Sequence, residues 1–242
     1  MLNHNYNFMA KIGTISFNKV GEYLKDNKAI IIPIGSTEQH GRALPLSTDT
    51  LIAESIANKI GDGMQWMIGP TINIGYSDKP QPFMKFAGTI TYSPETLVAV
   101  INDYISSLYV HGFREFFMVN GHGGNNKFIK QTAIILKEKY QDIKIYLHNW
   151  WKIEKVENFA NNIDKNFLNH AGTIETALAF VMFGDKVNKD KLTKEYKYIY
   201  TETGVIDSDQ TLATEAMGED VLKLIVEGSL NLFKSKKDKL LI

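Results

Sequence analysis

The sequence predicts an α/β fold, read as a single layered domain with a mainly parallel central sheet flanked by helices, and three observations predict it. Short apolar runs suited to buried strands alternate with longer stretches of helical spacing. Polar, glycine-rich segments follow the apolar runs directly, where an open parallel sheet binds its ligands. The 242 residues are enough for one large core and too few for two independent ones. With 44% hydrophobic residues, no internal repeat and no linker, residues 1–242 are expected to form one domain.

Ala29–Ile34 (AIIIPI) is a buried strand. Leu51, Ile52, Ile56 and Ile60 then recur at helical spacing behind Ser47 and Thr48, which suit a helix start. Met67–Ile74 is predicted as the second strand, and Ser93–Val110 as a helix opened by Ser93 and Pro94 and ended by His111-Gly112. Glu115–Val119 is a strand, Asn120–Asn125 a glycine-rich turn, Lys127–Tyr140 a helix and Ile143–Leu147 a further strand. Beyond Trp151, Ile174–Phe183 is predicted as a mostly buried helix and Glu215–Phe233 as a long amphipathic one. Asn188–Gln210, polar and rich in Tyr, is expected to be an excursion or a subunit contact, and Lys234–Lys239 a solvated tail.

Composition excludes several function classes. The 27 Lys and Arg balance 27 Asp and Glu, so no overall field draws the chain to nucleic acid or to an anionic membrane. Cysteine is absent, which removes disulfides, thiolate metal sites and a Cys nucleophile, and leaves N and O ligands for any metal. Met1–Lys11 lacks the basic start and apolar run of a signal peptide, and no stretch reaches membrane-spanning length, so the cytoplasm is the expected location.

Chemistry-bearing residues concentrate after two strands. The first is followed by Gly35-Ser36-Thr37-Glu38-Gln39-His40-Gly41 and then Leu44-Pro45-Leu46-Ser47-Thr48-Asp49. Glu38 and His40 stand two apart, so in extended backbone they leave on the same side, while Asp49 sits near a helix start. A later strand ends in Asn120-Gly121-His122-Gly123-Gly124-Asn125, whose glycines let the backbone pass close to an ion. One Glu, one Asp and two His form a ligand set for Zn²⁺, Mn²⁺ or Fe²⁺, and a carboxylate such as Asp49 can bridge two ions. Each motif has a plainer reading, Glu-x-His as a surface accident and Asp49 as a helix cap. The glycine turn could cradle a phosphate, but it lacks the Lys-Ser/Thr ending of a P-loop. His170-Ala171-Gly172-Thr173-Ile174-Glu175-Thr176 is a third cluster, which as a satisfied helix cap would carry no chemistry.

With these motifs the sequence resembles the creatininase (creatinine amidohydrolase) family over most of the chain. Residues 34–49 are similar to its first metal segment, 120–125 to its second and His170–Thr176 to its third, supported by Phe86-Ala87-Gly88-Thr89-Ile90 and by Leu212-Ala213-Thr214 with Gly218. The resemblance implies a cytoplasmic homo-oligomer, usually a hexamer, that binds two divalent ions (Zn, Mn or Fe) and hydrolyses an amide of a small molecule. Glu38 and His122 would hold one ion, His40 would help hold the other and Asp49 would bridge. A bridging water would attack the carbonyl, and His170 would protonate the leaving nitrogen.

One departure from creatininase bears on the second ion. Where that enzyme has a Glu two residues after the metal-binding His, this chain has Gly124, and Glu175 is the candidate replacement, with a place in both the metal and the catalytic set. Family members of this Gly-Gly form include a formamide hydrolase of flavin and deazaflavin biosynthesis and a peptidase trimming a modified peptide. The substrate is therefore expected to be an amide, cyclic amide or formamide and need not be creatinine, with a non-catalytic metal- or ligand-binding member of the same fold, or a peptidase trimming a short modified peptide, as the alternatives.

Overall fold

Four parallel strands stand in the order β2-β1-β3-β4. The computed structural model describes residues 11–78, 83–163, 170–195, 203–206 and 208–235. Along the chain come α1 (Phe17–Asp26), β1 (Ala29–Ile34), α2 (Thr48–Met64), β2 (Met67–Ile68), α3 (Pro94–Val110), β3 (Glu115–Asn120), α4 (Asn126–Lys139), β4 (Lys144–Asn149), α5 (Glu154–Asn161), α6 (Thr173–Phe183), the two-residue strands β5 (Lys194–Glu195) and β6 (Ser208–Asp209), and α7 (Glu215–Ser235). The expected α/β class, with a parallel sheet between helices, is what the chain adopts.

Alternation along β1 explains the two layers. Ala29 and Ile31, with Phe117, Val119 and Tyr146, face the layer of α2, α5, α6 and α7. Ile30, Ile32 and Ile34, with Phe116, Met118, Ile145 and Leu147, face α1, α3 and α4. A strand buried on both faces reads as one unbroken apolar run, and every residue of β1 is buried.

Most expected elements appear within two residues of their predicted ends, and Ser93 caps α3 by accepting the Thr96 N–H. Ser47 stands at the start of α2 without a side-chain cap bond, while the Thr48 hydroxyl turns back to the Pro45 carbonyl. The second strand is the main correction, since β2 stops after Ile68, and the chain then bonds β1 through the Gly69 N–H to the Ile31 carbonyl and again at Ile72. Prolines on both strands supply the reason. Pro33 has no N–H for that edge, although its carbonyl still accepts the Ile72 amide at 3.0 Å, and the Pro70 carbonyl accepts the Tyr104 hydroxyl.

No element was expected at α1 or α5. α1 buries Leu24 and packs Val20 and Tyr23 on the core, and α5 buries Val156 and Ala160. The described part of Asn188–Gln210 folds back on its own chain through the β5–β6 ribbon and the Asn188 N–H to Ala43 carbonyl bond. Of the expected tail, residues 236–239 lie outside the described residues, and no described helix is long and apolar enough to cross a membrane.

Candidate metal centre

The centre lies at the carboxyl ends of β1 and β3, the two adjacent strands from which the chain departs in opposite directions across the sheet. The loop after β1 carries Glu38 and His40, the first turn of α2 carries Asp49, the turn after β3 carries His122, and the start of α6 brings His170 and Glu175. All six predicted site residues are therefore gathered at one place. Donor atoms of Glu38, Asp49 and His122 lie within 4.8 Å of one another, as do those of His40, Asp49 and Glu175, and those of Glu38, His40 and His170. Asp49 belongs to the first two groups. Its Oδ1 is 3.0 Å from His40 Nε2 and its Oδ2 3.0 Å from His122 Nδ1.

Backbone carbonyls set the orientation of all three imidazoles. His40 Nδ1 bonds the Glu38 carbonyl at 3.1 Å, His122 Nε2 the Tyr76 carbonyl at 2.8 Å and His170 Nε2 the Gln39 carbonyl at 2.6 Å. A carbonyl only accepts, so the bonded nitrogen carries a proton, and the other nitrogen of His40 and His122 faces the carboxylates, as a donor while the ring is protonated and with a free lone pair for an ion once it is not. The nitrogen of His170 that faces inward is Nδ1, 3.6 Å from Glu38 Oε1. Ser36 Oγ donates to Asp49 Oδ2 at 2.7 Å, and the Ala171 N–H donates to Glu175 Oε2 at 2.7 Å.

Glycine makes the close packing possible. A Cβ on Gly121 would run into the Asp49 carbonyl, so the bare backbone here lets the first turn of α2 lie against the end of β3. Gly124 is closed in the same manner, because a side chain would collide with the Tyr76 carbonyl and His122 Nε2. This position has no room for a carboxylate unless the bond that orients His122 is broken.

Burial opposes charge at every one of these groups, so their charges must be balanced locally. Asp49, by charge and hydrogen bond, with Glu175 and Glu38, overcomes that penalty at His40 and lifts it to about 9. Glu38 and Asp49 likewise hold His122 well above its ordinary value, and the histidines in turn hold both carboxylates below theirs. Burial raises Glu175 to about 7 and, with the positive charge of His40, lowers His170 to about 4. His40 and Glu175 are both raised, so each contributes stability that is complete below its unfolded pKa and lost as pH rises through about 9 and about 7. Protein stripped of metal by chelator is therefore expected to lose stability between pH 7 and 9, its Tm falling by on the order of 10 °C, while metal-loaded protein changes less. A stripped protein whose Tm is level or rising over that interval would contradict this balance of charges.

A cation fits this set of groups. Neither oxygen of the fully buried Glu38 carboxylate accepts a hydrogen bond, and two donor triads share one carboxylate.

Several of these contacts carry no sequence signal. Tyr76 and Gln39 act through their carbonyls, and Ser36 is a small polar residue after a strand that could have been suspected as a partner of Asp49. His148, directly after the Ile143–Leu147 run, is buried and bonds Ser229 Oγ of α7 at 2.8 Å. Trp150 is core, set edge-on to Trp151. His4 and residues 79–82 of the Pro-rich loop lie outside the described residues.

The family model described as "Creatininase: Creatinine amidohydrolase" matches residues 14–233. A creatinine amidohydrolase of Pseudomonas putida is 25% identical over 82% of this chain and 86% of its own. A mycofactocin precursor peptide peptidase of Mycobacterium tuberculosis is 36% identical over 47% of this chain, which spans 48% of that relative. Among solved structures, one described as "Creatininase Mn" is similar with a TM-score of 0.85 and 21% identity, covering 94% of this chain and 98% of that one, a likeness of fold.

Proposed function

The chain belongs to the creatininase family, and from that premise we propose that it is a metal-dependent amidohydrolase opening a C–N bond of a small amide, cyclic amide or formamide. The observation that carries this reading is the pair of triads, Glu38-Asp49-His122 and His40-Asp49-Glu175, joined through one carboxylate beside a buried Glu38 whose oxygens lack donors. Each triad would hold one divalent ion, with Asp49 shared. Zn, Mn and Fe all accept N and O donors of these types, and creatininase structures of similar fold are described with Mn and as a Zn–Zn type. Two such ions supply an acidified water and a polarised carbonyl.

The chain's own residues do the rest. His170 Nδ1 is unprotonated at neutral pH, so it would take the proton that the attacking water gives up and pass it to the leaving nitrogen. The Gln39 carbonyl fixes that ring from behind, and Phe83 lies against it with centroids 4.4 Å apart. Ser36 holds the shared carboxylate in place, and burial of Glu38, His40 and Asp49 keeps bulk water from competing for the ligands. The same reading includes a homo-oligomer, hexameric as the resemblance implies, with exposed Phe17, Val110 and Ile134 as apolar surface for contacts.

A peptidase acting on a short modified peptide is the second reading, supported by 36% identity to the mycofactocin precursor peptide peptidase over 47% of this chain. Metal content per subunit, measured on protein purified without added metal or chelator and compared with Glu175→Ala, tests the centre. Two ions falling to one are expected, with turnover of a member of a panel of formamides, cyclic amides and short peptides naming the substrate class. One ion or none in the parent, unaffected by the substitution, together with no turnover, would instead indicate a binding-only member of the family.

A further inference from the structure

We propose that Gln210 is a positioning residue for the Glu175 carboxylate and acts on it through the backbone of Ala171, an inference that rests on the reading of Glu175 as a metal ligand. Ala171 has a φ of +55°, a left-handed conformation disfavoured for any residue with a Cβ. In that conformation its two backbone polar groups serve different partners. Its N–H donates to Glu175 Oε2 at 2.7 Å, and its carbonyl accepts from Gln210 Nε2 at 2.9 Å.

The amide of Gln210 can stand only one way round. Its Oε1 accepts the Thr193 N–H at 3.1 Å, so a flipped amide would set donor against donor at Thr193 and acceptor against acceptor at Ala171. The residue is fully buried, and its own N–H is tied to the Thr193 carbonyl at 3.0 Å. Other bonds clamp the same turn: the Ile206 N–H reaches the His170 carbonyl, and Thr173 Oγ1 donates to the Asp209 carbonyl. Among the described residues only Gln210 donates to the carbonyl of the left-handed residue itself.

This matters because Glu175 has a competing place to go. It is the third residue of α6, from which a carboxylate commonly folds back onto the N–H groups that open its own helix. The Ala171 N–H draws one oxygen away from that ordinary cap, and among the described residues Oε1 accepts no hydrogen bond. Gln210 thus fixes the turn, the turn fixes Oε2, and the other oxygen remains for the centre shared with His40 and Asp49.

The test uses full-length protein with its metals and reads ions per subunit and the affinity of each ion by chelator competition. Gln210→Glu keeps the length and the acceptor for Thr193 but replaces the donor to Ala171. It is expected to weaken one ion by roughly 10- to 100-fold and to leave the ion of Glu38, Asp49 and His122 nearly unchanged. Adding Ala171→Gly, which adopts the left-handed conformation without the side-chain penalty, should restore roughly fivefold. If Gln210→Glu does not fold, Gln210→Met provides the same comparison without a buried charge. Equal weakening of both ions alongside a lower Tm, with no recovery from Ala171→Gly, would mark Gln210 as a general support of the fold and overturn the proposal. Glu175→Gln, measured in parallel, separates the two ideas. If it costs an ion while the Gln210 variants cost none, only the positioning role fails; if it keeps both ions, the ligand reading and the positioning role fail together.

Discussion

Asp49→Ala is expected to remove both ions and to lower turnover by about a thousandfold or more, because the two donor triads share this one carboxylate. Of the two triads proposed to hold ions, Glu38 belongs to one and His40 to the other, whereas Asp49 belongs to both. The substitution also deprives His40 of the charge that chiefly holds its pKa up, and His122 of part of it, Glu38 keeping the rest. Metal analysis of the folded variant decides the matter. Two ions retained at parental affinity would show that Asp49 does not bridge.

Gly121→Ala should have the largest effect on stability for the smallest change in chemistry. A single methyl group there must displace the Asp49 carbonyl and with it the first turn of α2, since the strand end on the other side is bonded to β1 through the Gly121 N–H and the Ile34 carbonyl. Overpacking against backbone, which cannot rotate away as a side chain can, is expected to cost about 3 kcal/mol, or a Tm lower by roughly 6–12 °C. Metal affinity should fall as well, because Asp49 moves with the turn. A variant within about 2 °C of the parent would mean that α2 has slack at this point.

The residues most legible in the sequence were those whose chemistry is carried by a side chain placed directly after a strand. Glu38, His40 and His122 follow buried apolar runs, and such runs announce themselves by composition. Asp49 was legible as a bridging candidate through the family resemblance and its helix start. Glu175 was reached by asking what could stand in for the missing carboxylate at Gly124, and the structure brings it to His40 and Asp49 while leaving position 124 no room for one.

Illegible were the groups that act through backbone. The carbonyls of Gln39 and Tyr76 are chemically the same as any others, and Gln210 meets Ala171 across 39 positions of sequence. The break in β2 was missed because Met67–Ile74 is apolar enough for a strand. Its limit comes from Gly69-Pro70 within the segment, a local signal that the apolar run outweighed, together with Pro33 of the neighbouring strand, which no local pattern reveals. α1 and α5 escaped for a different reason: their apolar residues do recur at helical spacing, but both helices are short and mostly polar, and each buries only one or two residues.

The three backbone carbonyls behind the imidazoles have a consequence for how such a protein can diverge. An acceptor supplied by the main chain is not deleted by any point mutation, so the protonation pattern of His40, His122 and His170 survives exchange of the side chains at 39 and 76. Variation is then free to act on side chains that pack on these rings, such as Phe83 against His170, while the centre stays chemically the same. Inheritance of one set of reacting atoms among changing neighbours is what would let peptide, formamide and cyclic amide substrates arise on a common frame.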